Sequence, residues 1–316
     1  MDVLLVALGS TTGLRRAEDA LAGSLERAGA SVAVARAAPQ PDVRTLAYTD
    51  LRWAWAARRA AQAALRAEEP RAILYYTTTA ALLWPRRGAV RYDTLAADSR
   101  PGRHGVWQRA VERRRMRQAP LVVPSSADVR FPSGVVVPPA VDPSGPGLPR
   151  SVAAVTYAAN PEKKGLDRVL RAWSSARREG EELHVCGLDG EDAPGVRYLG
   201  PLDAAAYRAL LRRARVFVCA PRWEDFGIAQ LEALADGCRL VTTWAPGPYA
   251  AFPLARALDP RFAARDVDGL TTAIRAALDD DDPTYAERAM PLVAPYSSTA
   301  VDALVADRLL PALLAS

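Results

Sequence analysis

Lysine, histidine and cysteine are scarce in this sequence. Of its 41 basic residues only two are lysines, and it holds two histidines, His104 and His184, which are too few to favour a zinc site built on imidazoles. The three cysteines are widely spaced in short apolar runs and form no CxxC pair. We therefore expect reduced, buried cysteines, with neither a disulfide framework nor a metal cluster.

Long apolar runs are also absent. No uninterrupted stretch of about 18 apolar residues occurs, and the opening MDVLLVALGS lacks the basic region and cleavage pattern of a signal peptide. We therefore expect a cytoplasmic protein. With 50% hydrophobic and 24% charged residues, a chain of 316 residues suits two globular domains of about 150 residues each.

Positive charge is concentrated in the first half. Residues 1–150 hold 22 arginines and 13 acidic residues, a net charge of +9, whereas residues 151–316 carry a net charge of −4. The asymmetry indicates an anionic partner for the first half, such as a phosphorylated acceptor, an anionic membrane surface or nucleic acid. An arginine-rich genome explains the same numbers, so both interpretations stay open.

One basic segment suits peripheral contact with the inner face of a membrane. Residues 103–118, RHGVWQRAVERRRMRQ, form a predicted helix rich in arginine. Glu112 and a weak apolar face argue against a membrane-bound helix. Membrane contact by the basic N-terminal half is therefore one alternative among several.

Apolar runs alternate with helical patterns along the first half. VLLVAL at 3–8 ends at Gly9, a helical pattern follows from Leu14 to Leu25, and SVAVA at 31–35 is a second apolar run. This order predicts a βαβ unit with a parallel sheet. The alternation continues with a helix at 51–67, a strand at 72–77, a helix at 107–116 and a strand at 121–126.

Residues 132–150, PSGVVVPPAVDPSGPGLPR, are the best linker candidate, because they are rich in proline and glycine around one short predicted strand. The β/α pattern restarts after them with SVAAVTYA, GLDRVLRAWSSARREG and ELHVCG. Two open α/β domains in tandem predict a ligand in the cleft between them, at the carboxyl ends of the strands.

The only two lysines of the chain are adjacent, Lys163 and Lys164, in the turn NPEKKG between a predicted strand and a helix. A compact ammonium beside a helix terminus is a suitable site for an anion, most often phosphate. A solvated turn with two accidental lysines is the alternative.

The segment WEDFGIAQLEALADG, 223–237, carries two carboxylates, Glu224 before a predicted helix and Glu232 on it. Gly227 lets a ligand approach the backbone, and the free N–H groups of Gly227 and Ile228 can bind phosphate. The carboxylates can accept hydrogen bonds from sugar and ribose hydroxyls. A structural helix with solvated glutamates is the alternative.

Four successive segments, NPEKKGLD, HVCGLDG, VRYLGPL and VCAPRWEDFGIAQLEALADGCRLVTT, resemble the motifs of glycosyltransferase family 4 in order and spacing. The likeness covers about residues 151–245. TTGLRRAEDALAGSLERAGASVAV is more weakly similar to the family's opening loop and first helix. The resemblance implies an α/β fold of the GT-B type, two Rossmann-like domains with an interdomain cleft.

The resemblance also implies residue roles. The family's glutamate signature falls on Glu224, for a hydroxyl of the donor sugar, and on Glu232, for the ribose of the nucleotide. Lys164 matches the lysine that binds the diphosphate. The amides of Phe226, Gly227 and Ile228 face the sugar and phosphates. The implied activity is a retaining, metal-independent transfer from a nucleotide-diphosphate sugar to an acceptor hydroxyl by front-face attack, with no cofactor.

Two departures from the family pattern concern charge and acid–base groups. The family usually has an arginine six residues before the lysine, where this chain has Ala158, so Lys163 or Arg222 is the candidate replacement. A histidine often faces the reacting sugar from the N-terminal domain. This chain offers Asp93 and His104, which with Gly13 are the candidates on the acceptor side.

We predict three parts. Residues 1–145 form a Rossmann-like domain that binds the acceptor, 146–296 form the domain that binds the nucleotide sugar, and 297–316 form a helix that crosses back to the first domain. The acceptor is an unknown hydroxyl compound, anionic or lipid-linked. The run Asp279–Asp282 follows a helix rather than a strand end, so we interpret it as a solvated terminus and predict no metal site.

Other functions are weighed against this one. A nucleic-acid-binding protein is not favoured, because no basic motif interleaved with aromatics occurs. A pyridoxal-phosphate-dependent phosphorylase needs a lysine that the diphosphate motif already uses. A catalytically weak or inactive sugar-nucleotide-binding protein of the same fold stays open because of Ala158.

Overall fold

The computed structural model describes all residues except 42, 44, 101, 128 and 129, together with all side chains in helices and strands except those of Thr12, Leu46 and His104. The chain divides into two compact units. Unit 1 comprises Met1–Ala140 and Ser298–Ser316, and unit 2 comprises Val141–Ser297.

Unit 1 is built on a parallel sheet, sheet A, with the strand order β2-β1-β3-β4-β5. The interior strand β1 is fully buried, which explains why its sequence is a continuous apolar run rather than an alternating one. The strands are β1 Val3–Ala7, β2 Val32–Arg36, β3 Ala72–Tyr75, β4 Ala89–Tyr92 and β5 Val122–Pro124.

Among the described residues of unit 1, five α-helices connect these strands. Thr11 caps the first, because its hydroxyl accepts from Leu14 N–H at 3.1 Å, and Thr45 caps the second. The second helix therefore begins five residues before the predicted start. The helices are α1 Thr12–Arg27, α2 Leu46–Ala67, α3 Thr78–Ala81, α4 Ala96–Ser99 and α5 Val106–Gln118, with a 3₁₀ turn at Arg103–Gly105.

The C-terminal segment packs within unit 1. Its apolar side chains share a buried cluster with Val3, Leu5 and Leu25 of the β1/α1 layer. These side chains are Val301, Val305, Leu309 and Leu313. The segment consists of α13 Ser298–Leu304, a π-helical turn Val305–Leu309, and α14 Leu310–Leu314.

Asp302 ties that segment to α1. Its carboxylate accepts from the Ser24 hydroxyl at 2.6 Å and from the Arg27 guanidinium at 2.7 and 2.8 Å. Asp302 is separated from Ser24 by 278 positions in the chain and from Arg27 by 275, so these bonds join the two ends of the sequence.

Unit 2 contains a six-stranded parallel sheet, sheet B, in the order β11-β10-β9-β6-β7-β8. Strands β6 and β9 are neighbours, so the loops that follow them meet at the carboxyl edge. The strands are β6 Val152–Tyr157, β7 Leu183–Cys186, β8 Val196–Tyr198, β9 Ala214–Cys219, β10 Arg239–Thr243 and β11 Ala263–Ala264.

Seven α-helices belong to the described part of unit 2. The apolar face predicted for the helix after the lysines exists, with Leu166, Val169 and Trp173 buried in the unit's core. The helices are α6 Pro161–Lys164, α7 Leu166–Ala176, α8 Ala204–Arg213, α9 Ile228–Ala235, α10 Ala251–Leu258, α11 Leu270–Asp279 and α12 Tyr285–Val293, followed by a 3₁₀ turn at Ala294–Tyr296.

The predicted short strand in residues 132–150 is wrong. All of these residues are described, and none lies in a strand. The segment instead runs beside β5, where the N–H groups of Val135 and Val137 donate to the carbonyls of Val122 and Pro124 at 3.1 and 2.9 Å. Too few bonds form for a regular ladder, because prolines follow at 138 and 139 and cannot donate.

Two findings concern membrane-spanning helices and the cysteines. No helix among the described residues has both the length and the apolar character needed to cross a membrane. Cys186, Cys219 and Cys238 are free and buried, as expected from their spacing. Burial raises the pKa of Cys186 and Cys238 to about 12, so both are unreactive thiols.

Candidate functional site

Most candidate residues lie at the carboxyl edge of sheet B, in the loops after β6 and β9. The first loop, 158–165, approaches the end of β9 so closely that a Cβ on Gly165 would lie 2.0 Å from the Ala220 carbonyl oxygen. Gly165 also has φ +65°, a conformation that favours glycine. This glycine therefore fixes the lysine turn against the neighbouring strand.

Lys164 and Glu224 form the central ion pair of the site. The Lys164 ammonium donates to both carboxylate oxygens of Glu224, at 2.9 and 2.7 Å. The Gln230 amide donates to the same carboxylate at 2.9 Å. Glu224 is 3% exposed, so these three bonds stabilise a buried charge.

Lys163 pairs with a residue that the sequence did not single out. Its ammonium donates to Asp225, whose other carboxylate oxygen accepts from the Trp223 indole N–H at 2.8 Å. The Trp223 indole stands beside Gly247, where an added Cβ would lie 3.3 Å from its Cε2 atom. The two lysines are thus each matched by one carboxylate of the loop after β9.

Arg222, the other candidate replacement for the missing arginine, is held by a bidentate pair with Asp167. The two N–H···O distances are 2.7 and 2.8 Å, and Arg222 also donates to the Glu162 carbonyl. The guanidinium lowers the pKa of Asp167 to about 2. Ala158 is 1% exposed within the apolar core. Both candidate cations therefore already have carboxylate partners.

A buried polar network supports the turn at Gly227. Gly227 has φ +94°, and the Tyr249 ring lies 2.9 Å from where its Cβ would be. The Tyr249 hydroxyl is 2.7 Å from that of Thr242 and 3.4 Å from the Cys219 sulfur. Gly227 precedes α9, so the amides of Gly227 and Ile228 stand at that helix's N-terminus, with Phe226 buried beneath.

Glu232, for which the family resemblance implies a bond to the ribose of the nucleotide, lies on α9. Its carboxylate is 3.6 Å from Arg208 of α8 and is partly exposed. Arg208 is anchored independently, by Asp236 at 2.7 Å and by the Asp142 carbonyl at 2.7 Å. Arg208 therefore borders the Glu232 carboxylate without depending on it.

The candidates on the acceptor side belong to unit 1. Asp93 follows β4 at the carboxyl edge of sheet A, partly exposed, with Arg91 3.0 Å away. Arg91 is itself buried, and its guanidinium lies 4.4 Å from the centre of the Tyr76 ring. Gly13 lies in the first turn of α1 with open space around its Cα. The His104 side chain lies outside the described part of the structure.

Glu18 holds the loop that precedes Gly13. Its carboxylate accepts from the N–H groups of Leu8 and Gly9, at 2.8 to 3.1 Å, and Arg36 is 3.6 Å away. Burial raises the pKa of Glu18. The carboxylate thus supports the backbone at the end of β1.

Metal ligands are not grouped in the part of the chain that the structure describes. Within it, no three His, Cys, Asp or Glu side chains stand close enough together to bind an ion. In the run Asp279–Asp282, three carboxylates pair with arginines: Asp279 with Arg178, Asp280 with Arg239, and Asp282 with Arg288. The run is therefore only partly the solvated terminus that the sequence predicts, because Asp279 and Asp281 are exposed whereas the Asp280 side chain is 12% exposed against Arg239.

Sequence reasoning missed Asp225, Gln230, Arg208 and Asp167. A usable signal for Gln230 was its position among apolar residues in IAQLEALA, because a polar side chain on an apolar helix requires a partner if it is buried. Arg208 gave no signal, since it lies on a different helix from Glu232 and 24 positions away.

With this geometry in place, comparison with known proteins is informative. Residues 150–280 match the family described as "Glycosyl transferases group 1". The match covers 131 of the 316 residues of the chain. The resemblance found in the motifs is thereby confirmed. A 92-residue stretch is 40% identical to glycogen synthase of Mycobacterium tuberculosis, covering 29% of this chain and 22% of that protein. The chain thus aligns with about a fifth of the length of that relative.

Solved structures extend the likeness to nearly the whole chain. WaaG, a glycosyltransferase involved in lipopolysaccharide biosynthesis, aligns over 97% of this chain and 99% of its own, with 16% identity and a TM-score of 0.66. The galactosyltransferase WaaB covers 98% and 99% with 11% identity and a TM-score of 0.62. Sucrose-phosphate synthase from Thermosynechococcus elongatus covers 99% of each chain with 15% identity and a TM-score of 0.65. Two Rossmann-like domains of the GT-B fold, as predicted, are therefore confirmed.

Proposed function

We propose that this protein is a retaining, metal-independent glycosyltransferase that moves a sugar from a nucleotide-diphosphate sugar to an acceptor hydroxyl. The observation that carries the proposal is the Lys164–Glu224 pair at the carboxyl edge of sheet B, inside the stretch matched by the family. It sets a cation for the leaving diphosphate beside a carboxylate for the sugar.

Lys164 and the N-terminus of α9 bind the diphosphate. The ammonium and the amides of Gly227 and Ile228 stabilise the charge that develops on the leaving group as the sugar C1–O bond breaks. The acceptor oxygen bonds to the same face of C1, and its proton passes to a leaving phosphate oxygen. No side chain needs to form a covalent bond in this route.

Glu224 accepts a hydrogen bond from the transferred sugar. Three of the lone-pair positions on its two oxygens are occupied by Lys164 and Gln230, which leaves one position on the oxygen that receives a single bond. Glu232, more exposed and next to Arg208, binds the ribose hydroxyls. Phe226 and the Gly227 turn shape the floor between them.

Unit 1 supplies the acceptor site, with Asp93, Gly13 and His104 as its candidate residues. The acceptor is anionic or lipid-linked, because arginines dominate the exposed side of α5. Glu112, the residue that argued against membrane contact, is buried and accepts from Ala96 N–H at 2.8 Å, so it is not on the exposed side. Arg113, Arg114 and Arg117 lie on the exposed side of the helix.

The outer face of α2 supports the same partner. Tyr48 and Trp55 are 53% and 55% exposed and lie seven residues apart, on one side of the helix with the exposed Arg59 and Arg66. Exposed aromatics together with arginines suit the headgroup region of an anionic membrane. Peripheral membrane contact through unit 1 is accordingly part of the proposal.

A catalytically weak sugar-nucleotide-binding protein is the second candidate, and one observation favours it. Ala158 is buried in the core where relatives are expected to place a diphosphate-binding arginine. Lys163 and Arg222 are both paired with carboxylates in the described structure. Donor binding by Lys164 alone would be weak.

Two measurements test the proposal. Thermal shift with a panel of sugar nucleotides identifies the donor, since a ligand at 100 times its Kd adds about 2.7 kcal/mol to stability. Turnover of that donor, labelled in the sugar, with and without EDTA then tests transfer and metal independence. Binding without turnover supports the second candidate. A strict requirement for a divalent cation contradicts the metal-independent mechanism.

A further inference from the structure

Two lysine–carboxylate pairs stand side by side at the carboxyl edge of sheet B. Lys163 and Lys164 are consecutive at the end of α6, and their partners Asp225 and Glu224 are consecutive in the loop after β9. Each positive charge that one loop brings to the site is therefore matched by a negative charge from the other.

We propose that Asp225 determines the strength of donor binding by competing with the diphosphate for Lys163. This inference rests on the proposed function, because it assumes that a diphosphate binds beside Lys164. In the resting site Asp225 holds Lys163, and in the bound site the Lys163 ammonium bonds the diphosphate instead. The negative charge of Asp225 then weakens donor binding, and replacing Asp225 with an uncharged residue should strengthen it.

The two pairs differ in their exposure to water. The side chains of Lys163 and Asp225 are 34% and 38% exposed, whereas Glu224 is buried. A pair exposed to water contributes little to stability, so its lysine can exchange one anion for another at small cost. Breaking the buried pair leaves a charge without water or partner, which costs far more. Lys163 is thus the lysine free to change its partner.

Asp225 stays in place when Lys163 leaves. Its second oxygen accepts from the Trp223 indole at 2.8 Å, and that indole stands beside Gly247. A carboxylate fixed in this way cannot swing aside, so it remains as a negative charge close to the incoming diphosphate. The repulsion adds to the cost of losing its lysine.

Arg222 does not fill the same role. Its guanidinium makes two bonds to Asp167 and one to the Glu162 carbonyl, a rigid arrangement in which three bonds are lost together on release. A single ammonium–carboxylate contact is more easily exchanged. Among these cations, Lys163 is therefore the second one available to the diphosphate.

The decisive variant is Asp225→Asn, because asparagine keeps an oxygen for the Trp223 indole and removes only the charge. Isothermal titration with pyrophosphate as the probe, in EDTA and at low salt, avoids any dependence on the unknown base. We expect Asp225→Asn to bind pyrophosphate about 3- to 10-fold more tightly, from removal of one nearby charge at an effective dielectric of several tens. The gain should shrink as salt is added.

A double variant tests whether the gain depends on Lys163, and a matched control tests whether it depends on the position of the removed charge. Lys163→Met combined with Asp225→Asn should lose most of the gain, because the released ammonium is absent. Asp279→Asn makes the same charge change at the C-terminus of α11 and should leave the affinity unchanged. Thermal unfolding of each variant establishes that it folds.

Two outcomes overturn the inference while the proposed function stands: wild type binds pyrophosphate but Asp225→Asn binds it no more tightly, or the gain persists in full without Lys163. The remaining outcome, in which the wild-type protein binds neither pyrophosphate nor any nucleoside diphosphate of a UDP, GDP and ADP panel, contradicts the proposed function itself and removes the basis of the inference.

Discussion

Lys164 donates both to Oε1 and to Oε2 of Glu224, so the cation expected to bind the diphosphate and the carboxylate expected to bind the sugar neutralise each other in the ligand-free site. A donor must therefore bind beside this pair, with the third N–H of the Lys164 ammonium for the diphosphate and the remaining lone pair of Glu224 for the sugar. The consequences differ for the two glutamates of the signature.

Replacing Glu224 with alanine should lower turnover without weakening binding of nucleoside diphosphate. The sugar contact acts mainly in the transition state, whereas Lys164, freed from its partner, becomes fully available to the phosphates. We expect kcat to fall by about 10-fold or more for the loss of a charged hydrogen bond, with Kd unchanged or lower. Steady-state kinetics with calorimetry measure both, and full activity would refute the assigned role.

Replacing Glu232 with alanine should weaken binding of nucleoside diphosphate itself. Loss of a charge-assisted bond to ribose costs about 1.5–3 kcal/mol, which is about 10- to 150-fold in Kd. Arg208 keeps its bonds to Asp236 and Asp142, so the variant should remain folded. Glu179→Ala, an exposed glutamate in the loop before β7, is the control that should not change Kd. Normal nucleotide affinity of Glu232→Ala would show that this carboxylate does not hold the ribose.

Gln230→Leu tests whether the buried amide positions Glu224. It removes the 2.9 Å bond to the carboxylate but no group expected to touch the donor. We predict a fall in kcat of about 10-fold with an unchanged Kd for nucleoside diphosphate, since one hydrogen bond to a charge is worth about 1.5 kcal/mol. A merely structural role would appear instead as a lower Tm with kcat intact.

Asp302→Asn should make the stability of the protein less dependent on pH in the acidic range. The Arg27 guanidinium, with help from Ser24, holds the pKa of Asp302 below its ordinary value, so the folded state binds this proton more weakly than the unfolded state. The stabilisation is present at neutral pH and is lost as pH falls below about 4. Both side chains are partly exposed, so it amounts to about 0.5–1 kcal/mol.

The measurement is the Tm of wild type and variant from pH 7 to pH 3. Their difference should be largest at pH 7 and should shrink toward pH 3. Asp307→Asn, an exposed aspartate of the same segment, is the matched control. A difference that grows on acidification would contradict the assigned ion pair.

Unit 1 should bind anionic vesicles more strongly than neutral ones. Substituting Tyr48 and Trp55 with serine removes the exposed aromatics, and substituting Arg113, Arg114 and Arg117 with glutamine removes about 1 kcal/mol of attraction per charge near the surface. Vesicle sedimentation at two salt concentrations measures the effect. Trp244→Ser, an exposed tryptophan of unit 2, is the control. Equal binding to neutral vesicles would exclude the electrostatic part of the proposal.

Most of the fold was predictable from local pattern. Continuous apolar runs such as VLLVAL and VFVCA are the sequence of strands buried on both faces, and helical periodicity between them specifies parallel β/α units. Element boundaries were predicted less well. Helix α2 begins at Leu46 because Thr45 caps it, and the valines of 135–137 run beside β5 without becoming a strand.

Part of the site was also predictable, because its residues lie in motifs. Lys163, Lys164, Glu224 and Glu232 stand in short segments whose spacing brings them to one edge of a parallel sheet. That placement follows from topology alone, since the loops after neighbouring strands converge. Burial of Glu224 was not visible in the sequence, because the letters around a carboxylate do not reveal whether water reaches it.

By itself, the sequence determined two α/β halves, the motif that holds both lysines, and the glutamate signature, since each of these depends on neighbours within about fifteen residues. Only the tertiary structure decided which carboxylate each cation meets. Lys164 pairs with Glu224 across 60 positions, Lys163 with Asp225 across 62, and Arg222 with Asp167 across 55. Ion pairing requires contact within about 4 Å. These contacts arise where the loops after β6 and β9 meet, and a local sequence pattern does not encode which side chains of two distant loops come that close.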